Sequence, residues 1–278
     1  MNTRVRPLVE SDAEPLGATL GRAYATGQDF TTRLRGYVAG CGIQTFVAEH
    51  DGTPVGFVAG IDYGASAYVA LMGVDPAIQG LGTGTLLMEA LCAWVDRRGF
   101  ASVELDATAA GARLYERFGF RDAGVTAVYE GGPFAGPQPA SVCVASAADR
   151  TAMLACDRAA FGADRSVVLS ALFENPQATA FVPLGGDLAG YVVAQAETGL
   201  IGSLVACDPD VASRLLAAAA VTFTVPHRLS VPRETPGAEA IVIAHGYSYA
   251  RELRHMLLGT PPAGARERIF ARINLGHG

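Results

Sequence analysis

The feature that most constrains the fold is a glycine-rich turn between a strand-like segment and a helix-like segment. Residues 66–74 read SAYVALMGV, which is typical of a buried strand, and glycines follow at 80, 82 and 84. The next residues predict an amphipathic helix, because its apolar side chains recur with a period of 3.6. That predicted apolar face consists of Leu86, Leu87, Ala90, Leu91 and Trp94.

The alternating glycines let the backbone turn tightly and bring several N–H groups to one point at the start of a helix. This arrangement suits a pyrophosphate, although a turn that merely needs glycine is the alternative. A Walker loop is excluded because the chain contains no lysine. A dinucleotide-binding fingerprint is disfavoured, since its glycines should directly follow the first strand, and here they come after three strands and are separated from the last one by residues 75–79.

The segments before this turn predict a strand, two helices and a hairpin. Ser11 or Asp12 can cap a helix that runs to about Tyr24, and a second helix is expected over 31–39. An Asp-Gly pair at 51–52 separates two apolar runs, which is a strong hairpin signal.

Residues 131–140 read GGPFAGPQPA, in which six of ten residues are Gly or Pro, and this composition indicates a linker. We therefore expect a first domain over 1–130, a linker over 131–140 and a second domain over 141–278. The second part repeats landmarks of the first in the same order, which favours an internal duplication over an unrelated second domain. The landmark pairs are Asp12 and Asp149, Gly56 and Gly190, Asp75-Pro76 and Asp208-Pro209, and Gly119-Phe120 and Gly246-Tyr247.

The overall composition excludes several classes of protein. A formal net charge of −6 argues against a general polyanion binder such as a nucleic-acid coat. The five cysteines are scattered without a C-x-x-C pair, which predicts reduced thiols in a cytoplasmic protein. The five histidines do not cluster, so no metal site is expected. We also expect neither a signal peptide nor a membrane span.

Two motifs resemble signatures of the GCN5-related N-acetyltransferase (GNAT) superfamily. The first is a strand ending in V-x-P followed by [R/Q]-x-x-G-x-[G/A], matched here by Gln79, Gly82 and Gly84. The second is L-Y-x-x-x-G-F, which residues 114–120 (LYERFGF) match. The resemblance covers about residues 3–130, and the whole chain is similar to the YitH-like tandem acetyltransferases, whose second domain is degenerate. This resemblance implies an α+β fold with two tandem GNAT-type domains, and in each domain a mixed, mostly antiparallel sheet is flanked by helices.

The resemblance also implies acetyl-CoA (coenzyme A) as cosubstrate and no metal. In such enzymes the pantetheine arm pairs like an added strand with the strand that here ends at Val74, where it splays from the strand at 103–107. A β-bulge is expected at Met72-Gly73. The implied cofactor-binding residues are Met72, Val74, Gln79, Gly80, Leu81, Gly82, Thr83, Gly84 and Thr85.

Three residues are candidates for catalysis. Tyr115 is the candidate general acid, since a phenol can donate a proton to a departing thiolate, but its ring could instead simply pack in the core. Glu104 and Asp106 share one face of a strand. Either could act as a base through water or bind a cationic substrate, and a solvated strand face is the alternative.

The acceptor site is less well defined. We expect four residues to border the acceptor site: Tyr24, Asp29, Phe30 and Tyr63. The alternative for each of them is an ordinary surface or core residue. In the second domain, the loop at 208–214 has no glycine and carries two acidic residues. We therefore expect no coenzyme A there, and expect this domain to shape the acceptor site of the first.

The sequence thus predicts an N-acetyltransferase that transfers acetyl from acetyl-CoA to a primary amine of a small molecule, by direct attack in a ternary complex. The alternatives are a non-catalytic acyl-CoA-binding or sensor protein and an acyltransferase that uses a longer acyl group. The acidic balance favours a cationic amine. We expect a monomer or homodimer without nucleic-acid or membrane partners.

Overall fold

The computed structural model describes residues 3–25, 28–185 and 188–278, which form two compact units. The first unit contains the chain through Leu105, with Ala110–Arg121 and Leu257–Pro261. The second contains Asp106–Ala109, Asp122–Met256 and Pro262–Gly278. Residues 106–109 and 122–130, which the sequence assigns to the first domain, therefore belong to the second unit.

The strands and helices from the start of the chain to residue 116 follow one another as expected for one domain. They are β1 (Thr3–Arg6), α1 (Ala13–Ala23), α2 (Thr31–Ala39), β2 (Ile43–His50), β3 (Thr53–Asp62), β4 (Ser66–Val74), α3 (Thr83–Arg98), β5 (Ser102–Ala107) and α4 (Ala109–Glu116). The predicted helices at 12–24 and 31–39 and the predicted hairpin are confirmed.

The rest of the chain begins with a long strand, β6 (Arg121–Gly131). It continues with β7 (Val142–Val144), α5 (Arg150–Phe161), α6 (Ser166–Glu174), β8 (Ala178–Pro183), β9 (Gly190–Gln195), β10 (Leu200–Ala206), α7 (Pro209–Ala220), β11 (His227–Pro232), α8 (Ala238–Ala244), β12 (Ser248–Gly259) and β13 (Ile269–Ala271). From β7 to β12 the order of elements repeats that from β1 to β6, as a duplication requires. Residues 132–139 form neither helix nor strand.

In the first unit, β1, β2, β3 and β4 pair antiparallel in that order, and β4 pairs with β5 in parallel. The strands β3 and β4 consist mostly of apolar and small residues, and both are buried for most of their length. The sheet is thus mixed and mostly antiparallel, as predicted.

The strands β4 and β5 diverge after a short paired stretch. Their register runs from Ser66 opposite Ser102 to Tyr68 opposite Glu104, while β4 continues to Val74. The divergence leaves one edge of β4 without a strand partner from β5, and this edge is called the open edge of β4 below. The predicted splay is present in the described chain.

A bulge occurs in β4, but earlier than predicted. Ala59 of β3 is opposite Leu71, whereas Gly60 is opposite Val69, so Ala70 is the additional residue. Met72 and Gly73 themselves are in regular register with Val58 and Phe57. The expected bulge at Met72-Gly73 is therefore wrong, because glycine at 73 serves a different purpose: a Cβ there would lie 2.6 Å from the Leu20 side chain of α1.

Helix α3 packs on the first sheet through the predicted face, with one exception. Leu87, Leu91 and Trp94 are buried, and a Cβ on Gly60 would lie 2.5 Å from the Trp94 ring, so the helix approaches the sheet closely. Leu86, predicted to face the core, is 36% exposed, and Met88 is buried in addition.

In the second unit the strands are ordered β6, β11, β10, β9, β8 and β7, and β12 lies beside β6. The pair β10–β11 is parallel, at Leu200–Ile201 opposite Arg228–Leu229, and corresponds to β4–β5 of the first unit. Pairing of β6 with β11 runs from Thr126 opposite Pro232 to Gly131 opposite His227, which explains why β6 belongs to this unit.

No helix within the described parts of the chain is long and apolar enough to cross a membrane.

Candidate functional site

The glycine-rich turn of the first unit and the first residues of α3 are together called the cradle below (residues 79–85), and residues 79–82 of it are exposed. Gly80 and Gly82 have φ of +81° and +88°, a left-handed backbone that L side chains rarely adopt. Within the described chain, no side chain caps α3, whose N-cap is Gly82. The first N–H groups of this 16-residue helix therefore lack intrahelical acceptors and are available to an anion.

The base of the cradle is held in place by hydrogen bonds. The Asp75 carboxylate accepts from the Ala77 N–H at 2.9 Å and pairs with Arg22 at 2.6 Å. The Gln79 side-chain amide donates to the Val74 carbonyl at 3.0 Å. Gln79, predicted to contact the cofactor, thus braces the turn in this structure.

The other predicted cradle residues differ in exposure. Leu81 is 68% exposed, whereas Thr83 is buried at the first position of the helix. The Thr85 hydroxyl accepts a hydrogen bond from Arg117 Nη2 at 3.3 Å. Arg117 was not among the predicted residues, although it lies only two residues after Tyr115, and it adds a positive charge beside the cradle.

The open edge of β4 exposes the backbone of Met72, a predicted pantetheine partner. In the structure the Tyr24 hydroxyl donates to the Met72 carbonyl at 2.6 Å and lies 3.3 Å from the Met72 N–H. Both groups of Met72 face away from β3, since a single side chain from α1 reaches them. The edge predicted for the cofactor is therefore partly covered by Tyr24.

Tyr115 lies on α4 and is 9% exposed. Its ring packs edge-on against Phe120, with ring centroids 5.9 Å apart. Among the residues that the structure describes, none hydrogen-bonds its hydroxyl. Burial, with a smaller contribution from nearby Tyr24, raises the pKa of Tyr115 well above its ordinary value, so the phenol keeps its proton.

The two predicted carboxylates on β5 are in different surroundings. Glu104 is 2% exposed and occupies the last position of β5 that pairs with β4. A solvated strand face, the alternative for this pair, is thereby excluded for Glu104.

Asp106 belongs to a buried polar cluster of the second unit. Its carboxylate accepts from the Thr126 hydroxyl at 2.7 Å, lies 3.2 Å from His255 Nδ1 and 3.8 Å from Arg272 Nε. Burial acts to raise the pKa of Asp106, but Arg272 and the hydrogen bonds from His255 and Thr126 outweigh it, so the pKa lies below the ordinary value. This carboxylate is held as an anion by its neighbours and is a poor proton acceptor.

The predicted acceptor residues lie in three different places in the first unit. Tyr24 and Phe30 stack with ring centroids 5.5 Å apart, next to the open edge of β4. Asp29 instead accepts hydrogen bonds from the N–H and hydroxyl of Thr31 and so fixes the start of α2. Tyr63 is 1% exposed and lies at the β3–β4 turn, whereas Val74 lies at the opposite end of this hairpin, roughly 23 Å away at 3.3 Å per residue. Tyr63 therefore lies at the other end of β4 from Met72 and Val74.

The second unit lacks both features of the first. Helix α7 is capped by Asp208, whose carboxylate accepts from the Val211 N–H at 2.8 Å and so occupies the position that an anion would take. The gap between β10 and β11 is filled by β13. Ala271 of β13 pairs with Leu204 of β10, and the N–H of the next residue, Arg272, donates a hydrogen bond to the Ser230 carbonyl of β11. A segment of the chain itself thus takes the place that an added strand would occupy.

No group of three or more His, Cys, Asp or Glu side chains within 3–25, 28–185 and 188–278 is arranged to hold a metal ion.

Comparison with known proteins gives consistent results for both halves of the chain. Profiles of acetyltransferase (GNAT) domains match residues 42–122 and residues 153–271. An N-acetyltransferase of Bacillus subtilis (strain 168), YitH, itself described as uncharacterized, is 28% identical over 191 residues, which cover 66% of this chain and 67% of YitH.

Solved structures show the same fold along almost the entire chain. A proposed acetyltransferase from Pyrococcus horikoshii superposes with a TM-score of 0.85 at 23% identity, covering 99% of this chain and 96% of that one. A tandem GNAT protein from the clavulanic acid biosynthesis pathway superposes with a TM-score of 0.66 at 15% identity, covering 94% of this chain and 100% of that one. At these identities the similarity shows the fold alone.

Proposed function

The chain belongs to the GNAT family as a tandem member and is an acyltransferase, and we propose that its first unit transfers the acetyl group of acetyl-CoA to a primary amine of a small molecule. The observation that carries this proposal is the combination of an uncapped helix N-terminus with an open strand edge in the first unit. In the second unit Asp208 and β13 fill the corresponding places.

The cradle suits a diphosphate group because it offers uncapped N–H groups, a helix dipole and the nearby Arg117. The backbone of Met72 suits an amide-containing arm that adds to β4, once the Tyr24 hydroxyl is displaced from it. When bound, acetyl-CoA supplies a thioester carbonyl as the electrophile.

The acid–base roles follow from burial. As the amine nitrogen forms its bond to the acetyl carbon, the carbon–sulfur bond breaks and Tyr115 donates its proton to the departing sulfur. The amine's surplus proton passes through water to Glu104, buried where β4 and β5 begin to diverge. Tyr115 then regains a proton from solvent, because burial disfavours its phenolate. Asp106 takes no part in proton transfer in this scheme.

The test uses the full chain with acetyl-CoA and a panel of small primary amines. Released thiol and acetylated product are both measured, the first with a thiol-reactive dye and the second by mass spectrometry. We expect Tyr115→Phe to lower kcat by about 10²- to 10⁴-fold with unchanged coenzyme A affinity. Tyr249→Phe, a half-exposed tyrosine of the second unit, is the matched control and should retain activity.

One outcome would reject the proposed activity, and two others would correct its mechanism or its acyl donor. Coenzyme A binding without thiol release for any amine would favour the non-catalytic binding protein. A Tyr115→Phe variant with full kcat would remove Tyr115 from the mechanism. Turnover only with longer acyl groups would instead correct the acyl donor.

A further inference from the structure

Helix α2 carries an arginine, Arg33, that is half-buried at the open edge of β4. Its Nε donates to the Tyr37 hydroxyl at 2.8 Å, and its Nη2 lies 3.4 Å from the Ala70 carbonyl of β4. The guanidinium carbon lies 5.6 Å from the centre of the Tyr37 ring. These contacts fix the direction of the side chain and use two of its five N–H groups.

Arg33 differs from the other arginines of α1 and α2 in its charge partners. Arg22 pairs with Asp75 at 2.6 Å, and Arg35 pairs with Glu10 at 3.0 Å. Among the described residues, no carboxylate pairs with Arg33. A half-buried guanidinium that is held by neutral groups retains its full charge and several N–H donors for a ligand.

The position of Arg33 places this charge beside the proposed reaction centre. Ala70 precedes Met72 by two residues on β4, a separation of about 7 Å along the strand. The Tyr24 hydroxyl donates a hydrogen bond to the Met72 carbonyl. Burial raises the pKa of Tyr24, and the positive charge of Arg33 acts to lower it. Tyr24 is also close enough to Tyr115 to affect the pKa of its hydroxyl. Arg33 and Tyr115 therefore both lie close enough to Tyr24 to interact with its hydroxyl electrostatically.

We propose that Arg33 binds the carboxylate of the acceptor, so that the substrate is a small amine that also carries a carboxylate, such as a free amino acid. This proposal rests on the proposed acetyltransferase function. The planar guanidinium fork matches a carboxylate with two parallel hydrogen bonds. A carboxylate bound beside Ala70 leaves the amine of the same small molecule on the side of Met72 and Tyr24. The local positive charge of Arg33 thus favours an anionic group on the acceptor, whereas the net charge of −6 of the whole chain favours a cationic amine.

The experiment compares each free amino acid with its α-carboxamide as acetyl acceptor for the full chain, with putrescine as a cationic amine. We expect kcat/KM for the preferred amino acid to exceed that for its carboxamide by about 10- to 100-fold, mainly through KM, because the amide loses a charge-assisted hydrogen-bonded pair. Arg33→Gln should remove this preference by raising KM for the amino acid while leaving the carboxamide almost unchanged. Arg33→Lys should retain part of the preference.

Arg35→Gln on the same helix is the matched control, and it should leave the preference intact because Arg35 pairs with Glu10. Thermal melting of each variant identifies loss of fold, and the carboxamide rate provides an internal measure of active enzyme. Equal use of amino acid and carboxamide, preference for putrescine, or an Arg33→Gln variant that keeps the preference would overturn the assignment of Arg33. Absence of acetyl transfer to every amine would instead overturn the proposed function.

Discussion

Replacing Gly82 with aspartate tests the cradle directly, because it adds a negative charge at the N-cap of α3. The backbone there has φ +88°, and a Cβ would have no heavy atom of the described residues within 4 Å beyond its chain neighbours. The substitution therefore costs only the left-handed conformation, about 1–2 kcal/mol and less for Asp and Asn, which tolerate it. Gly82→Asn has nearly the same shape without the charge and isolates the electrostatic effect.

The expected effect on binding follows from Coulomb's law. A carboxylate about 5 Å from a diphosphate with two negative charges is disfavoured by about 1.7 kcal/mol at the dielectric constant of water, and by more in a partly excluded site. This corresponds to about 20-fold weaker coenzyme A binding for Gly82→Asp than for Gly82→Asn. The difference should shrink as salt is raised from about 0.01 to 0.5 M, because exposed charges are screened.

Isothermal titration calorimetry of coenzyme A, without amine, gives the two dissociation constants at each salt concentration. Gly64 offers a matched control pair, since it also has a left-handed φ of +82° with nothing within 4 Å among the described residues, and lies at the opposite end of the β3–β4 hairpin from Val74. Gly64→Asp and Gly64→Asn should bind coenzyme A equally. Equal affinities for the two Gly82 variants at low salt would refute the assignment of the cradle as the anion site.

Three further predictions follow from the two units and their buried groups. Calorimetry should give one coenzyme A per chain, because Asp208 and β13 fill the corresponding places of the second unit; a stoichiometry of two would contradict this. The pH profile of kcat should show no alkaline decline due to Tyr115 below about pH 10, since burial raises its pKa; a decline near pH 8 that Tyr115→Phe abolishes would oppose it. Asp106→Asn should lower the free energy of unfolding by about 3–5 kcal/mol at pH 7, because it leaves Arg272 buried without its carboxylate. As the folded-state pKa of Asp106 is depressed, its contribution is complete above the ordinary value near 4 and declines below it, so urea unfolding should give a smaller difference between wild type and variant at pH 3.

Much of the fold could be predicted because its signals are local. The Asp51-Gly52 pair sets a two-residue turn with left-handed backbone at both positions, and the strands on either side pair as His50 opposite Thr53. Gly80 and Gly82 likewise have the left-handed backbone of a tight turn, whereas Gly84 lies within the first turn of α3. The exposed Leu86 departs from its predicted burial because a 3.6 period defines a face only approximately, and the sheet beneath decides its width.

The positions of the acceptor residues could not be predicted in the same way. Tyr63 was expected to border the acceptor site together with Tyr24, Asp29 and Phe30, but the register of β3 and β4 puts it at the other end of that hairpin from Val74. Arg33 carries no signal in the sequence, because an arginine on a predicted surface helix is ordinary. Its lack of a carboxylate partner becomes visible only when the neighbours of α2 are known.

The sequence by itself predicted the duplication, the glycine-rich turn before the helix of the first half and the Asp208-Pro209 segment that replaces it in the second, because each depends on residues close together in the chain. The tertiary structure alone decided which groups meet across long separations. Tyr24 reaches Met72 across 48 positions, and Asp106 meets His255 across 149. The tertiary structure also decided that β13 fills the gap beside β10. The N–H and C=O groups of an open strand edge need hydrogen-bond partners, and any chain segment that the fold brings near can supply them.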